Sequence, residues 1–237
     1  MKIINLVKSS LLLLVFGVVT VTANAQSSKN VAVKGFNSLS VSSGIDLYIT
    51  QAQTESLTIK GSSEVIKDVI VEQSGGSLSI KYKEGISWSR LFKNQSIKVY
   101  VNYKTLSSLS ASGGSDVYTQ NTLKADILNL RASGGSDLKL MLACKDLTIS
   151  ISGGSDADLK GSGENMKADA SGGSDIDAFG YIVNYAKVNV SGGSDANIYV
   201  NKGLEAGANG GSDVNYKGNA ALKKTTNSKS GDINHIK

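Results

Sequence analysis

The chain lacks proline altogether, whereas a protein of 237 residues would contain about a dozen at average usage. Because proline is the one residue without a backbone N–H, almost every position here can donate to a hydrogen-bonded strand ladder. Cys144 is the single cysteine and has no partner for a disulfide within the chain. These absences exclude the collagen-like, proline-rich and disulfide-stapled classes of protein.

Residue types that often build catalytic centres are also scarce. The chain has one histidine, His235, close to its C-terminal end, and two arginines, Arg90 and Arg131. A Ser-His-Asp or Cys-His arrangement would have to use His235, which we interpret as an exposed terminal residue. One cysteine and one histidine are too few for a zinc cluster of those ligands, and we interpret Cys144 as a small core residue. We therefore assign no catalytic residue.

The charge balance argues against a nucleic-acid partner. With 25 basic and 20 acidic residues the net charge is only +5, and aromatic residues make up 6% of the chain. The basic residues are scattered, all but one pair of them singly, and form no stripe with interleaved aromatic residues. We expect no nucleic-acid binding.

The first 25 residues have the order of a secretory signal peptide. Two lysines precede an apolar run at 11–19, and the segment ends on Ala-Asn-Ala. The apolar run is much shorter than the ~20 residues that span a bilayer, so we expect no transmembrane anchor in the mature chain. The sequence predicts cleavage after residue 25 and a single extracytoplasmic domain at 26–237, in the periplasm, on the outer membrane or secreted.

The body of the chain is a repeat with a step of about nineteen residues. Ser-Gly-Gly-Ser-Asp recurs at 112–116, 133–137, 152–156, 171–175 and 191–195, with variants at 209–213 and 230–232. The aspartates of these motifs are Asp116, Asp137, Asp156, Asp175, Asp195, Asp213 and Asp232. A constant step of this size indicates one structural unit per motif.

Apolar and polar residues alternate on both sides of each motif, which is typical of strands. Either a stack of hairpins or a parallel β-solenoid would give this pattern. The recurrence of similar apolar residues next to every motif favours the solenoid, because equivalent positions then stack on one another. We predict that residues from about 31 to the end form one stack of parallel coils. Twelve positions should line its interior: Ala111, Ala132, Ile151, Ala170, Val190, Ala208, Val117, Leu138, Ala157, Ile176, Ala196 and Val214.

The motif is interpreted as the corner of each coil. Two consecutive glycines allow positive φ angles, and the serine and aspartate side chains can bond to backbone groups of the turn. The alternative is a metal-binding file. Aspartates stacked about 4.8 Å apart repel one another, and Ca²⁺ takes carboxylate oxygens at such crowded sites. The residues concerned would be Asp116, Asp137, Asp156, Asp175, Asp195 and Asp213.

The known glycine-rich Ca²⁺ motif has a nine-residue step and a third glycine, both absent here. We therefore expect no cofactor, with Ca²⁺ as the alternative.

One segment, at 83–96, interrupts the repeat. It contains the only tryptophan, Trp88, together with Arg90 and Phe92. Aromatic residues and a guanidinium group on a loop of a rigid scaffold suit ligand binding, so these three are the candidate ligand-binding residues. Alternatively, the aromatic side chains cover the apolar end of the solenoid. The tyrosines of the same third of the chain would extend an aromatic face: Tyr48, Tyr82, Tyr100 and Tyr103.

A family resemblance rests on several segments taken together. They are SVSSGIDLYI at 40–49, LTIKG at 57–61, SLSIKY at 77–82, IKVYV at 97–101, the reiterated Gly-Gly-Ser-Asp turns and GDIN at 231–234. This pattern resembles the head GIN domain family of autotransporter adhesins. The resemblance implies an all-β fold, a right-handed single-stranded parallel β-helix with coils of about nineteen residues, and a place in the cell envelope. It implies no catalytic or ligand residues.

The function predicted from these observations is a secreted, non-catalytic β-helix scaffold, an adhesin or a surface-binding protein of the cell envelope. Its partner would be a surface ligand, either a glycan or a protein, and oligomerisation is compatible with the fold. Because parallel β-helices include polysaccharide lyases and hydrolases, the alternative is a Ca²⁺-dependent protein that binds or degrades carbohydrate.

We expect the exported protein to begin at Gln26, since the basic, apolar and Ala-x-Ala regions occur in the order of a signal peptide. N-terminal sequencing of the protein recovered outside the cytoplasm checks this. Ala25→Leu should block cleavage, whereas Asn24→Leu, at the variable position, should not. A chain that keeps Met1 in the cytoplasmic fraction would contradict the prediction.

Overall fold

The computed structural model describes residues 27–85, 97–226 and 230–237. The predicted signal segment at 1–25 and the candidate residues Trp88, Arg90 and Phe92 lie outside the described residues. The elements are β1 Ser27–Val31, β2 Ser38–Ser42, β3 Asp46–Gln51, β4 Ser56–Gly61, α1 Ser63–Ile66, β5 Val69–Ser74, β6 Ser77–Tyr82, β7 Lys98–Tyr103, β8 Ser108–Ser112, β9 Val117–Thr119, β10 Leu123–Ser133, β11 Asp137–Ser152, β12 Asp156–Ser171, β13 Ile176–Ser191, β14 Asp195–Asn209, β15 Ser212–Lys217, β16 Ala221–Lys224 and β17 Gly231–His235.

The strands wind into a parallel β-solenoid of about seven turns, as the repeat predicts. From β10 to β14 each strand pairs in parallel with the next one along the chain. The register aligns one motif with the next, so that Asp137 pairs with Asp156 and Asp195 with Asp213. Strands β11, β12 and β13 each run for 16 residues from one motif to the next. The all-β solenoid is therefore confirmed.

The core runs along the axis of the coils. All twelve positions flanking the motifs are buried, as predicted, with exposed fractions of 0–4%. Cys144 is also buried, which confirms its interpretation as a core residue. Along β11 the inward side chains are Leu138, Leu140 and Leu142, and the residues between them face outward or are partly exposed. Alternation along each strand thus separates the interior from the outer faces.

The turns use glycine as predicted. In all six Gly-Gly motifs both glycines have positive φ; at Gly153 and Gly154 the values are 68° and 72°. In the first turn Ser43 takes the equivalent conformation, with φ of 71°, and is the only non-glycine residue described with positive φ.

The N-terminal part departs from the predicted simple stack. Strand β2 lies between β6 and β8, and β3 lies between β7 and β9, so later parts of the chain enclose an earlier coil. Strand β4 is antiparallel to both of its neighbours, β1 and β7, and β5 is antiparallel to β6. Parallel coiling from about residue 31 is therefore wrong for this part. The Gly75-Gly76 pair forms the two-residue turn of a hairpin, in which Ser74 pairs with Ser77, instead of a coil corner.

Candidate functional site

The second serine of each motif belongs to a buried serine ladder that runs along one edge of the solenoid. Its members are Ser115, Ser136, Ser155, Ser174, Ser194 and Ser212, all fully buried. From Ser136 onwards, each hydroxyl oxygen accepts a hydrogen bond from the backbone N–H of the serine in the preceding coil, and the Ser115 hydroxyl accepts one from the backbone N–H of Ile45. The N···Oγ distances are 3.1 Å for Ser115 to Ser136, 3.1 Å for Ser136 to Ser155, 3.1 Å for Ser155 to Ser174 and 3.0 Å for Ser174 to Ser194. The ladder satisfies one buried N–H per coil.

The aspartates form a second file beside the serine ladder, as predicted. In this aspartate file, carboxylates accept the backbone N–H of the aspartate in the following coil. The N···Oδ1 distances are 3.3 Å for Asp137 to Asp116, 3.3 Å for Asp175 to Asp156, 3.1 Å for Asp195 to Asp175, 3.0 Å for Asp213 to Asp195 and 3.2 Å for Asp232 to Asp213. The register of β3 with β9 adds Asp46 at the N-terminal end, and Lys98 lies beyond it.

The like charges in the aspartate file oppose ionisation. The pKa of Asp137 is raised by burial and by the neighbouring carboxylates of Asp116 and Asp156, while Lys139 and a backbone N–H act in the opposite direction. The pKa of Asp46 is raised by burial and by Asp116, and Lys98 opposes the shift. The backbone donors and two lysines thus offset part of the repulsion that the sequence predicts.

The aspartate file extends along the edge of the solenoid and has one carboxylate in each coil. Among residues 27–85, 97–226 and 230–237, no three Asp, Glu, His or Cys side chains converge as metal ligands. Ca²⁺ binding by several aspartates along the edge stays an alternative prediction.

Two residues after the aspartates, a second outward row begins with three stacked tyrosines. In this tyrosine stack, Tyr48 lies between Tyr100 and Tyr118, with ring centroids 5.0 and 5.1 Å apart and planes inclined by 16°. The ammonium groups of Lys60 and Lys139 lie 4.5 and 5.7 Å from the centroids of the Tyr100 and Tyr118 rings. Each ring face in the stack therefore already has a neighbour, which favours a stabilising role.

The predicted aromatic face is only partly correct. Tyr48 and Tyr100 are in the tyrosine stack, but Tyr82 and Tyr103 occupy inward positions of their strands and are buried. Tyr118, which the sequence analysis did not single out, completes the stack and donates its hydroxyl hydrogen to Asp116 at 3.2 Å. Burial and Asp116 raise the pKa of Tyr118 to about 12. The register of β3 with β9, which the sequence does not reveal, brings Tyr118 there.

His235 and Cys144, the only histidine and cysteine of the sequence, have surroundings that do not suit catalysis. His235 is exposed, as predicted; its ring stacks on Tyr216 at 4.7 Å and its Nε2 lies 2.9 Å from the Gly218 carbonyl oxygen. Burial raises the pKa of the Cys144 thiol to about 11. Since the thiolate is the reactive form, this shift opposes a role as a nucleophile at neutral pH.

Comparison with known protein families finds one match over most of the chain. A family described as "Putative auto-transporter adhesin, head GIN domain" matches residues 35–220. The chain belongs to this family. Comparison of this GIN domain with curated proteins finds no match.

Solved structures share the fold of this GIN domain. A "putative adhesin" from Bacteroides fragilis has a TM-score of 0.82 and 23% identity, covering 90% of this chain and 98% of its own. A "putative adhesin" from Parabacteroides merdae has a TM-score of 0.71 and 22% identity, covering 90% and 96%. A "putative lipid binding protein" from Parabacteroides distasonis has a TM-score of 0.72 and 17% identity, covering 90% and 97%. In the described part of this chain, no helix has the length and apolar character needed to cross a membrane.

The serine ladder predicts that replacing the two serines of one motif by alanine lowers the free energy of unfolding by very different amounts. Ser155→Ala removes the acceptor of the buried Ser136 N–H and should lower the free energy of unfolding by about 1–3 kcal/mol. Ser152→Ala, in the same turn but only partly buried, is the matched control and should change little. Urea unfolding measures both. Equal midpoints for the two variants would contradict the role of the ladder.

The raised pKa of Asp137 predicts that the effect of its charge on the stability of the folded protein depends on pH. Because the folded state disfavours the ionised carboxylate, the stability that this group contributes is present at low pH and is lost as pH rises through its folded pKa. Asp137→Asn keeps an acceptor oxygen without the charge, so it should raise the melting temperature at neutral pH. The gain should shrink towards about pH 4, near the ordinary aspartate pKa. Asp126→Asn, outside the file, is the control, and a gain independent of pH would refute the interpretation.

Proposed function

We propose that this GIN domain is an exported, non-catalytic scaffold that adheres to a surface ligand, either a glycan or a protein, through the outward rows of its solenoid. Membership of the adhesin family and the fold shared with proteins described as "putative adhesin" support adhesion. The basic, apolar and Ala-x-Ala regions of residues 1–25 support export.

The observation that carries the proposal is the regularity of the outward side chains. The row that begins with the tyrosine stack continues in register through Lys139, Asp158, Asp177, Asn197, Asn215 and Asn234. Parallel pairing places successive members of such a row about 4.8 Å apart. Because the backbone ladder already holds them in place, little conformational freedom remains to be lost on binding. A long, preorganised face suits a repeating or extended ligand.

A second function is favoured by the aspartate file. Burial, and after it the like charge of neighbouring aspartates, raises the pKa values of Asp46 and Asp137, and a bound Ca²⁺ ion would relieve the part that is due to charge. Calcium-dependent carbohydrate binding, or polysaccharide degradation, is therefore the alternative to a metal-free scaffold.

The two functions differ in their response to Ca²⁺. We expect the processed protein to bind saturably to at least one member of an array of glycans and matrix proteins, equally well with millimolar Ca²⁺ or EDTA. Its melting temperature should also be unaffected by Ca²⁺. A ligand at a hundredfold excess over its dissociation constant would add about 2.7 kcal/mol of stability, which a melting curve would register.

The control is a variant with Asp137, Asp156 and Asp175 all changed to Asn. Binding that requires Ca²⁺ and disappears in this variant would establish the alternative. Release of shortened or unsaturated sugar products from a polysaccharide would overturn the non-catalytic scaffold, and failure to bind any ligand of the array would overturn adhesion.

A further inference from the structure

A groove crosses the outer face near the C-terminal end of the solenoid. Two neighbouring outward rows border it: Tyr185, Gly203 and Ala221 in one, and Lys187, Glu205 and Lys223 in the other. Its volume is about 450 Å³, within the range of about 300–1,000 Å³ that is usual for small-molecule sites. The groove forms because the first row changes from a tyrosine to glycine and alanine in the next two coils.

Tyr185 supplies an accessible aromatic surface at one side of this groove. Its side chain is 47% exposed, although it belongs to a strand with a well-buried inner face. A Cβ atom on Gly203 would lie only 3.1 Å from Cδ1 of Tyr185, so the absence of a side chain at Gly203 accommodates the ring in this position. Whereas stacked tyrosines and lysines occupy the ring faces in the tyrosine stack, the contact described for the Tyr185 ring is with the Lys202 ammonium group, 5.6 Å from the ring centroid.

The second row carries an excess of positive charge. Glu205 lies between two lysines, with Nζ of Lys223 at 2.7 Å and Nζ of Lys187 at 3.7 Å from its carboxylate oxygens. Hydrogen bonding and charge from Lys223 hold the pKa of Glu205 below its usual value, so the carboxylate is ionised at neutral pH. One carboxylate cannot neutralise two ammonium groups, and Lys202 adds a third beside the ring. In the preceding coil Lys167 is balanced by Asp169 at 3.6 Å.

We propose that this groove binds an anionic pyranose unit of a polysaccharide. The apolar face of the sugar ring packs on Tyr185, because its slightly positive C–H groups match the negative face of the aromatic ring. The carboxylate or sulfate group of the sugar accepts hydrogen bonds from Lys187 and Lys223, which share Glu205 in the free protein. This inference rests on the proposed adhesion function and gives it a ligand class and a site.

The groove is tested with four soluble polymers and the processed protein. Polygalacturonate and heparin carry anionic pyranoses, with carboxylates alone in the first and mainly sulfates in the second. Dextran has pyranose rings without charge, and polyglutamate has carboxylates without rings. We expect binding to one or both anionic polysaccharides that weakens with added salt, and at most weak binding to the other two.

The aromatic contact is tested by Tyr185→Ala, which should weaken binding at least about tenfold, or roughly 1.4 kcal/mol. The matched control is Ile182→Ala on the same strand, where a 42% exposed apolar side chain outside the groove is removed. Gly203→Ala keeps Tyr185 but displaces its ring, so it should give an intermediate loss. All three positions are on the surface, and melting temperatures verify that the variants are folded.

Removing the acidic residue and removing a basic residue from the charged row should change the affinity for the polysaccharide in opposite directions. Glu205→Gln removes the carboxylate that competes for the two lysines, so it should tighten binding about threefold or more, whereas Lys223→Gln should weaken it. Weaker binding by Glu205→Gln would refute the competition between Glu205 and the ligand for the two lysines.

The outcomes separate this site from adhesion in general. Polyglutamate binding as tight as that of the polysaccharides would indicate an acidic peptide ligand and overturn the sugar assignment, as would preference for dextran. Binding to another surface that is insensitive to Tyr185→Ala would leave adhesion standing and refute the groove. Failure to bind either anionic polysaccharide refutes the inference directly.

Discussion

The hydrogen bond from one backbone N–H to the serine hydroxyl of the next coil is the interaction on which this solenoid depends. The turn is sharp and its second serine is fully buried, so neither water nor the same coil provides the acceptor for that N–H. Only a neighbouring coil, held at strand spacing, supplies it. A single coil therefore has no stable structure of its own, and stability accumulates through contacts between neighbours. The absence of proline from the chain agrees with this dependence, because a proline in a ladder position removes a donor.

In two neighbouring outward rows, similar polar side chains are stacked at strand spacing, and their mutual interactions differ. In the aspartate file, like charges stack at strand spacing, and the backbone N–H groups of the next coils, together with Lys98 and Lys139 near one end, offset part of the repulsion. In the adjacent row the C-terminal coils carry asparagines instead, whose side-chain amides donate to the preceding asparagine at 3.0 and 3.2 Å. An amide has both a donor and an acceptor, so this row continues without repulsion. In these C-terminal coils a negative edge therefore lies beside a neutral row of asparagines.

The structural features that recur in every coil could be predicted from the sequence. The motif spacing, the glycine pairs and the alternating apolar residues predict the solenoid, its corners and its interior, because each residue type repeats at an equivalent position. Features that occur only once, where the chain departs from the repeat, could not be predicted from the spacing of equivalent residues. Tyr118 meets Tyr48 across 70 residues of chain, and Tyr185 lies beside Gly203 only because β13 and β14 pair with a local shift in register. The Gly-Gly pair at 75–76 shows that the dipeptide alone does not define a corner, since the same dipeptide also forms the turn of a hairpin.

The position of β2 and β3 in the stack constrains the order in which the chain can assemble during synthesis. This first-made coil has its neighbours in β6 and β7 on one side and in β8 and β9 on the other. One of its hydrogen-bonding edges lacks its final partners until about residue 103 has emerged, and the other until about residue 119. The later coils, in contrast, add one at a time onto a finished edge. Strands β2 and β3 pair with β8 and β9 across about 70 residues of chain, whereas β11 pairs with β12 across 19, and pairing that is distant in sequence is the slower kind in folding.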